Sequence, residues 1–339
     1  MNATANNNLT ETNVYNKMLS SIAIQTTMYI LFGSLALITN CGVLYTVKDS
    51  GKFSLFAFLA VGDAVLASAF VTAGTTRTVY ALVHIYDQKI AATNCLFTPW
   101  YHCFAIGYFL PSIGTVLVSA ERILAFFCFA TYRSNWETCW KPKFLMAGSA
   151  VTAICALPAY ITTVTENRQI ELQCSFSAAT QPSYGIFYGF FTIGCGVVSA
   201  VINMTVHIAA KHKLSHLATA DSEAALKREA GMRRSAYAIV LSTILLVVIP
   251  RMITLTFYFG ALGVSETVHR YFLLIFLLRS GINFFLYLIL CPDFRNLWQE
   301  KWAKTSKYLD VFRPKTSSVM PMHHDMTQIS PRWNFAHIR

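Results

Sequence analysis

The chain has 339 residues, 55% of them hydrophobic and only 13% charged, with a mean hydropathy of +0.46 and a formal net charge of +11. Soluble domains carry about 25% charged residues, so this composition excludes an ordinary water-facing surface and makes lipid the expected solvent. Nine cysteines are too sparse for a small disulfide scaffold, and none sits at a Cys-x-x-Cys or Cys/His spacing that would hold a metal. Met1 to Ser20 are polar and Asn-rich, without the basic start and short apolar core of a signal peptide. Enzyme signatures are absent: there is no Gly-x-Ser-x-Gly, no Walker loop and no His-Glu-x-x-His. The expectation is a non-enzyme with no cofactor and no metal.

A spanning helix needs about 20 mostly apolar residues, and seven stretches qualify. The first, 23–47, carries Asn40. The second, 55–74, holds Leu59-Ala60-Val61-Gly62-Asp63, a carboxylate within a span. The third, 96–128, begins with polar residues, contains Pro111 and runs into Glu121-Arg122-Ile123. The fourth, 144–164, contains Pro158, and the fifth, 184–210, contains Gly194. The sixth, 236–260, holds Val247-Val248-Ile249-Pro250 followed by Arg251. The seventh, 271–290, holds Arg279 and Asn283-Phe284-Phe285-Leu286-Tyr287. Membrane helices tolerate such prolines because neighbours re-satisfy the freed backbone groups. Beyond the seventh span, Phe294, Trp298 and Trp302 recur every four residues, with Arg295, Lys301 and Lys304 nearby. That spacing predicts an amphipathic helix over 291–305, lying on the inner leaflet. The polar remainder, 306–339, is expected to be a disordered cytoplasmic tail, and 1–22 an extracellular tail.

Lys and Arg set the orientation. With the N-terminus outside, 20 of the 27 basic residues fall on the cytoplasmic side and five outside, with Arg251 and Arg279 inside spans. Two sequons, Asn2-Ala3-Thr4 and Asn8-Leu9-Thr10, then lie outside as glycosylation acceptors. The net charge is therefore read as a topology determinant, and nucleic acid is not an expected partner. The lipid bilayer is.

Polar groups within a bilayer are costly, so each asks for a function. Asn40 in the first span, Leu59-Ala60 with Asp63 in the second, Glu121-Arg122 at the end of the third, Asn283 and Tyr287 in the seventh, and Phe294-Arg295 after it occur in that order. Together they resemble the rhodopsin-like G-protein-coupled receptors over roughly residues 24–302. Departures are Ile123 for the usual Tyr, Phe284 for the usual Pro, no Trp in the fourth span, no Pro in the fifth and no Cys-Trp before Pro250. In these departures, and in Glu121-Arg122-Ile123-Leu124-Ala125 followed by Tyr132-Arg133, the chain is similar to nematode serpentine chemoreceptors.

The resemblance implies an all-α membrane protein, a seven-transmembrane helix bundle over 23–290 with a short amphipathic cytoplasmic helix after helix seven. It implies a receptor at the plasma membrane, in sensory cilia, passing an external small-molecule signal to a heterotrimeric G protein. Glu121, Arg122, Asn283 and Tyr287 would form the switch, with Arg122 paired to Glu121 until activation frees it. Asn40, Asp63 and Arg279 would form an intramembrane network. Arg279 lies one turn from Asn283, which predicts an Asp63–Arg279 salt bridge in place of a sodium ion. Arg251 lies about nine residues from the outer end, roughly 13 Å deep at 1.5 Å per residue. A cation at that depth suits an anionic or strongly hydrogen-accepting ligand, with Tyr108, Phe187, Phe257 and Tyr258 as further pocket candidates. An oxidising exterior predicts a Cys95–Cys174 disulfide, as in the family, with Cys103 the rival partner. The alternatives are a receptor for an endogenous neuropeptide or transmitter, and a transporter or channel; the chain shows no repeat between halves for the latter.

Overall fold

A computed structural model describes residues 2–86, 88–128, 132, 134–166, 168–216, 241–259 and 266–312. Among these, side-chain placement is described except at 2–19, 52, 137–138, 211, 213–216, 257–258, 266–273, 276 and 306–312. The helices are α1 Asn2–Val47, α2 Ser54–Leu82, α3 Pro99–Gly107, α4 Leu110–Phe127, α5 Lys141–Glu166, α6 Phe176–Ala179, α7 Pro182–His216, α8 Ile249–Tyr258, α9 Glu266–Leu290 and α10 Pro292–Phe312. Strands β1 (Lys89–Ala91) and β2 (Gln169–Glu171) pair antiparallel, with Ile90 opposite Ile170.

Five stretches are long and apolar enough to cross a bilayer: Ser20–Val47, Ser54–Leu82, Pro99–Phe127, Lys141–Glu166 and Pro182–Ala210. A shorter apolar helix, Leu241–Thr256, follows, and then Leu277–Leu290, which meets Pro292–Thr305 at a bend of 97°. The protein is an all-α, multi-pass membrane protein. Its burial pattern agrees with that solvent. Leu31, Ile38, Ile154, Leu157, Phe190 and Ile289 are all more than half exposed, while Asn40, Asp63, Asn203, Arg251, Arg279 and Asn283 are buried. Hydroxyls along the spans donate back to the carbonyl one turn earlier, as Thr39 does to Leu35, Thr152 to Gly148 and Thr254 to Pro250. That habit pairs hydroxyls where water is absent, though the buried Thr192 hydroxyl has no partner among the described residues.

Each helix irregularity has a proline beside it. The third span breaks at Tyr108 and Phe109, and α4 opens with Pro111 in its first turn. Proline has no N–H and crowds the carbonyl four residues back, here that of Gly107. The shorter apolar helix Leu241–Thr256 contains a π turn, Ile244–Val248, that ends just before Pro250; the wider turn takes up the same missing bond. A second π turn, Trp136–Trp140, precedes Pro142. Span two outruns the expected end at residue 74 and continues to Leu82. The polar Thr75 and Thr78 bond back within the helix, and Arg77 is buried. The segment 1–22, read as a tail, is helical in backbone from Asn2.

The largest core cluster lies towards the β1–β2 end and is dominated by aromatic side chains, among them Phe70, Tyr101, Phe104, Phe109 and Tyr188. A second cluster at the opposite end holds Val43, Leu59, Phe284, Tyr287 and Phe294. Phe284 packs edge-on against Phe294 and Trp298. Phe294 is fully buried, whereas Trp302 is 58% exposed.

Two glycines let α2 approach the broken third span. A Cβ on Gly62 would lie 2.9 Å from the Pro111 nitrogen, and one on Gly107 would lie 2.9 Å from the Leu66 backbone. Gly194 has nothing within 4 Å of the same point. Gly107→Ala is therefore expected to destabilise the detergent-solubilised protein by about 1–3 kcal/mol, read as a lower thermal midpoint, while Gly194→Ala leaves the midpoint unchanged or raised.

Candidate functional site

Among the described residues, two cavities within the bundle stand out. The larger, about 70 Å³, sits at the β1–β2 end. Arg77 from α2, Tyr108 from the break in span three, Gln173 from the segment after β2, Tyr188 from α7 and Arg251 from α8 all line it. The Arg251 guanidinium lies 4.1 Å from the centre of the Tyr188 ring and 5.6 Å from that of Tyr108, and it donates to the Tyr188 hydroxyl. The two tyrosine rings stand 4.6 Å apart. This is an aromatic cradle for a buried cation. Arg77 donates from Nε to the Gln173 carbonyl at 3.2 Å, and the Gln173 side chain accepts from the Tyr86 hydroxyl at 2.7 Å. Cys95 and Cys174 form a disulfide of 2.05 Å, tying the residue after Gln173 to the approach to α3. The rival Cys103 is a free thiol.

Of the expected pocket residues, Tyr108 and Arg251 meet in this cavity and Phe187 does not. Phe187 is 42% exposed and lies against Phe109 and Phe191. Successive helical positions diverge by about 100°, so its neighbour Tyr188 takes the inward direction instead. The side chains of Phe257 and Tyr258 lie outside the described residues, as do those of Asn2 and Asn8.

The polar network runs through the middle of the bundle. Asn40 donates to the Ala36 carbonyl and to the Ser280 hydroxyl, each at 2.7 Å. Asn283 donates to Asp63 at 3.1 Å. Arg279 donates to the Thr115 hydroxyl at 2.8 Å. The expected Asp63–Arg279 ion pair is thus not formed: Asn283 occupies the place beside the carboxylate, and Arg279 reaches across to α4. The expected Glu121–Arg122 pair is also absent. Adjacent on one helix, the two side chains point to different neighbours. Glu121 accepts from the Tyr132 hydroxyl at 3.1 Å, and Arg122 donates to the Asn203 carbonyl oxygen at 2.9 Å. Asn203 in turn donates to Ser119, which lies 2.6 Å from Ser199. The smaller cavity, about 30 Å³, opens between Arg122, Asn203, Arg279, Asn283 and Tyr287. Tyr287 closes it with edge-on contacts to Phe56 and Phe294.

Sequence reasoning missed Arg77, Thr115, Tyr188 and Asn203. A signal existed for two of them. Thr115 and Ser119, and Ser199 and Asn203, are i,i+4 polar pairs on two apolar helices, and such pairs present one polar stripe. Arg77 gave none, because at a span end it reads as a loop charge.

Removing the Thr115 hydroxyl leaves a buried guanidinium without its acceptor. Thr115→Val is expected to cost about 1.5–3 kcal/mol, read as a lower thermal midpoint in detergent. Arg279→Gln removes the same bond, so the double variant is expected to fall short of the sum of the two single losses; full additivity would show that the two side chains do not interact. No protein-family model matches this chain, and no curated protein matches it.

Proposed function

We propose that this protein is a seven-span receptor of the rhodopsin-like type, divergent and chemosensory in character, which passes the binding of a small external molecule to a heterotrimeric G protein. In this reading the N-terminus and the β1–β2 pair face outward, the sixth and seventh spans complete the bundle, and Pro292–Phe312 forms a helix along the inner leaflet. The larger cavity is the ligand site and the smaller is the inner switch.

The observation that carries the reading is that one irregular helix lines both cavities. Arg251 reaches the larger, while Ser242 and Thr243 line the smaller beside Arg122. Between them lie the π turn and Pro250. A ligand that binds better to one arrangement of this segment shifts the population towards it, and the segment then carries the change to Arg122. Arg122 is held by Asn203 of α7 through a single bond. Rearrangement of the sixth span against α7 would release or re-aim it at the inner surface, where a G-protein α-subunit can be reached. The cavity's volume suits a small molecule rather than a peptide. Placement at the plasma membrane of a sensory cell, with both sequons outside, belongs to the same proposal.

Membranes containing the full chain are expected to accelerate nucleotide exchange on at least one class of G-protein α-subunit, and Arg122→Ala to return exchange to the level of membranes without it while surface expression persists. Exchange that is absent for every α-subunit class, or indifferent to Arg122→Ala, contradicts the proposal.

A further inference from the structure

The larger cavity is walled by two guanidinium groups. Arg251 is 2% exposed and Arg77 only 7%, yet both line it. No Asp or Glu is among the described residues that do. The nearby Glu171 and Glu166 accept hydrogen bonds from the side chains of Gln173 and Gln181 instead. Among the described residues, Arg77 is bonded only through Nε, to the Gln173 carbonyl. Its two terminal nitrogens have no protein partner and are not sealed in. A guanidinium buried to this degree is costly unless its donors are satisfied, and a guanidinium fork matches a carboxylate or phosphate in geometry. The rest of the wall mixes polar side chains, among them Gln25, Ser175 and Thr180, with aromatic rings. The Phe70 and Phe104 rings stand 4.9 Å apart, and Phe176 lies 6.2 Å from Phe104.

From this geometry we propose that the cavity binds a small organic anion with an aromatic body, its acidic group held by the terminal nitrogens of Arg77. Arg77 is fixed by its Nε bond, so the fork is aimed before the ligand arrives and little ordering remains to oppose binding. The Tyr108 and Tyr188 rings hold Arg251 in the lining of the same cavity, where its charge adds to the attraction. The aromatic wall takes the body of the ligand. A cation meets the like charge of both arginines, and a neutral isostere forfeits the charge-assisted bonds. The inference deepens the receptor reading, on which it rests only for the consequence of binding.

The test uses the purified full chain in detergent, with benzoate and indole-3-acetate set against benzamide, indole-3-acetamide and benzylamine. Thermal shift and direct titration report binding without any G protein. At least one acid is expected to raise the midpoint and bind saturably, with its amide and the amine binding at least tenfold more weakly, in line with loss of a charge-assisted bond. Arg77→Gln is expected to weaken acid binding roughly 10- to 100-fold, and Arg77→Lys, which keeps the charge and loses the fork, to fall between. The apo midpoint of each variant reports folding. Equal binding of acid and amide, saturable binding of no acid, or unchanged acid binding by a folded Arg77→Gln would overturn the assignment. Acid binding without G-protein exchange would support the anion site and sink the receptor reading. Exchange driven by a neutral or cationic compound, with no acid bound, would do the reverse.

Discussion

A polar group inside a bilayer has no water to turn to, so a buried polar side chain here is stabilised by finding its partner within the bundle. That constraint determines which helices touch. α9 is tied to α1 by Asn40 and Ser280, to α2 by Asp63 and Asn283, and to α4 by Thr115 and Arg279. α4 is tied to α7 by Ser119, Ser199, Asn203 and Arg122. The apolar faces between these seams are interchangeable with lipid and carry little positional information. The hydrogen-bonded seams carry it, because breaking one strands a buried donor or acceptor.

The same constraint limits where the bundle can bend. Prolines cost a backbone bond, and two of those that interrupt helices stand beside residues of the larger cavity. Pro111 breaks span three next to Tyr108, and Pro250 follows a π turn next to Arg251. Both interruptions therefore face the larger cavity, so the residues that would meet a ligand stand on the least regular backbone in the bundle. Around them the disulfide, the β1–β2 pair and the close α2 packing at Gly62 and Gly107 form a stiff frame.

Hydropathy made the long apolar helices legible, and the outlying cysteines made the disulfide so. Which residues share a seam was legible only in part. Asp63, Asn283, Arg279 and Asn40 were recognisable as intramembrane polar groups, and they do gather. Their pairing was not legible, because one helical turn of offset between Arg279 and Asn283 decides which of them meets Asp63, and sequence spacing cannot set the rotation of one helix against another. The same ambiguity placed Phe187 in the pocket where Tyr188 stands. Arg77 was hidden for a different reason: a cation three residues past an apolar stretch looks like an anchor until its burial is known. Phe284 shows the converse. It breaks a motif without breaking the packing, since its ring fills the space against Phe294 and Trp298.

The account stands on an inward-facing switch and an outward-facing, doubly cationic cavity in one bundle crossed an odd number of times. Topology is its most direct test. The full chain, carrying a C-terminal epitope, is expressed in mammalian cells, and the sequons at Asn2 and Asn8 are probed with a glycosidase. The account predicts a glycosidase-sensitive shift lost on Asn2→Gln/Asn8→Gln, together with an epitope that antibody reaches only after permeabilisation. Glycosylation at the N-terminus with an epitope open to antibody on intact cells would put both ends on one side, give an even number of crossings, and contradict it.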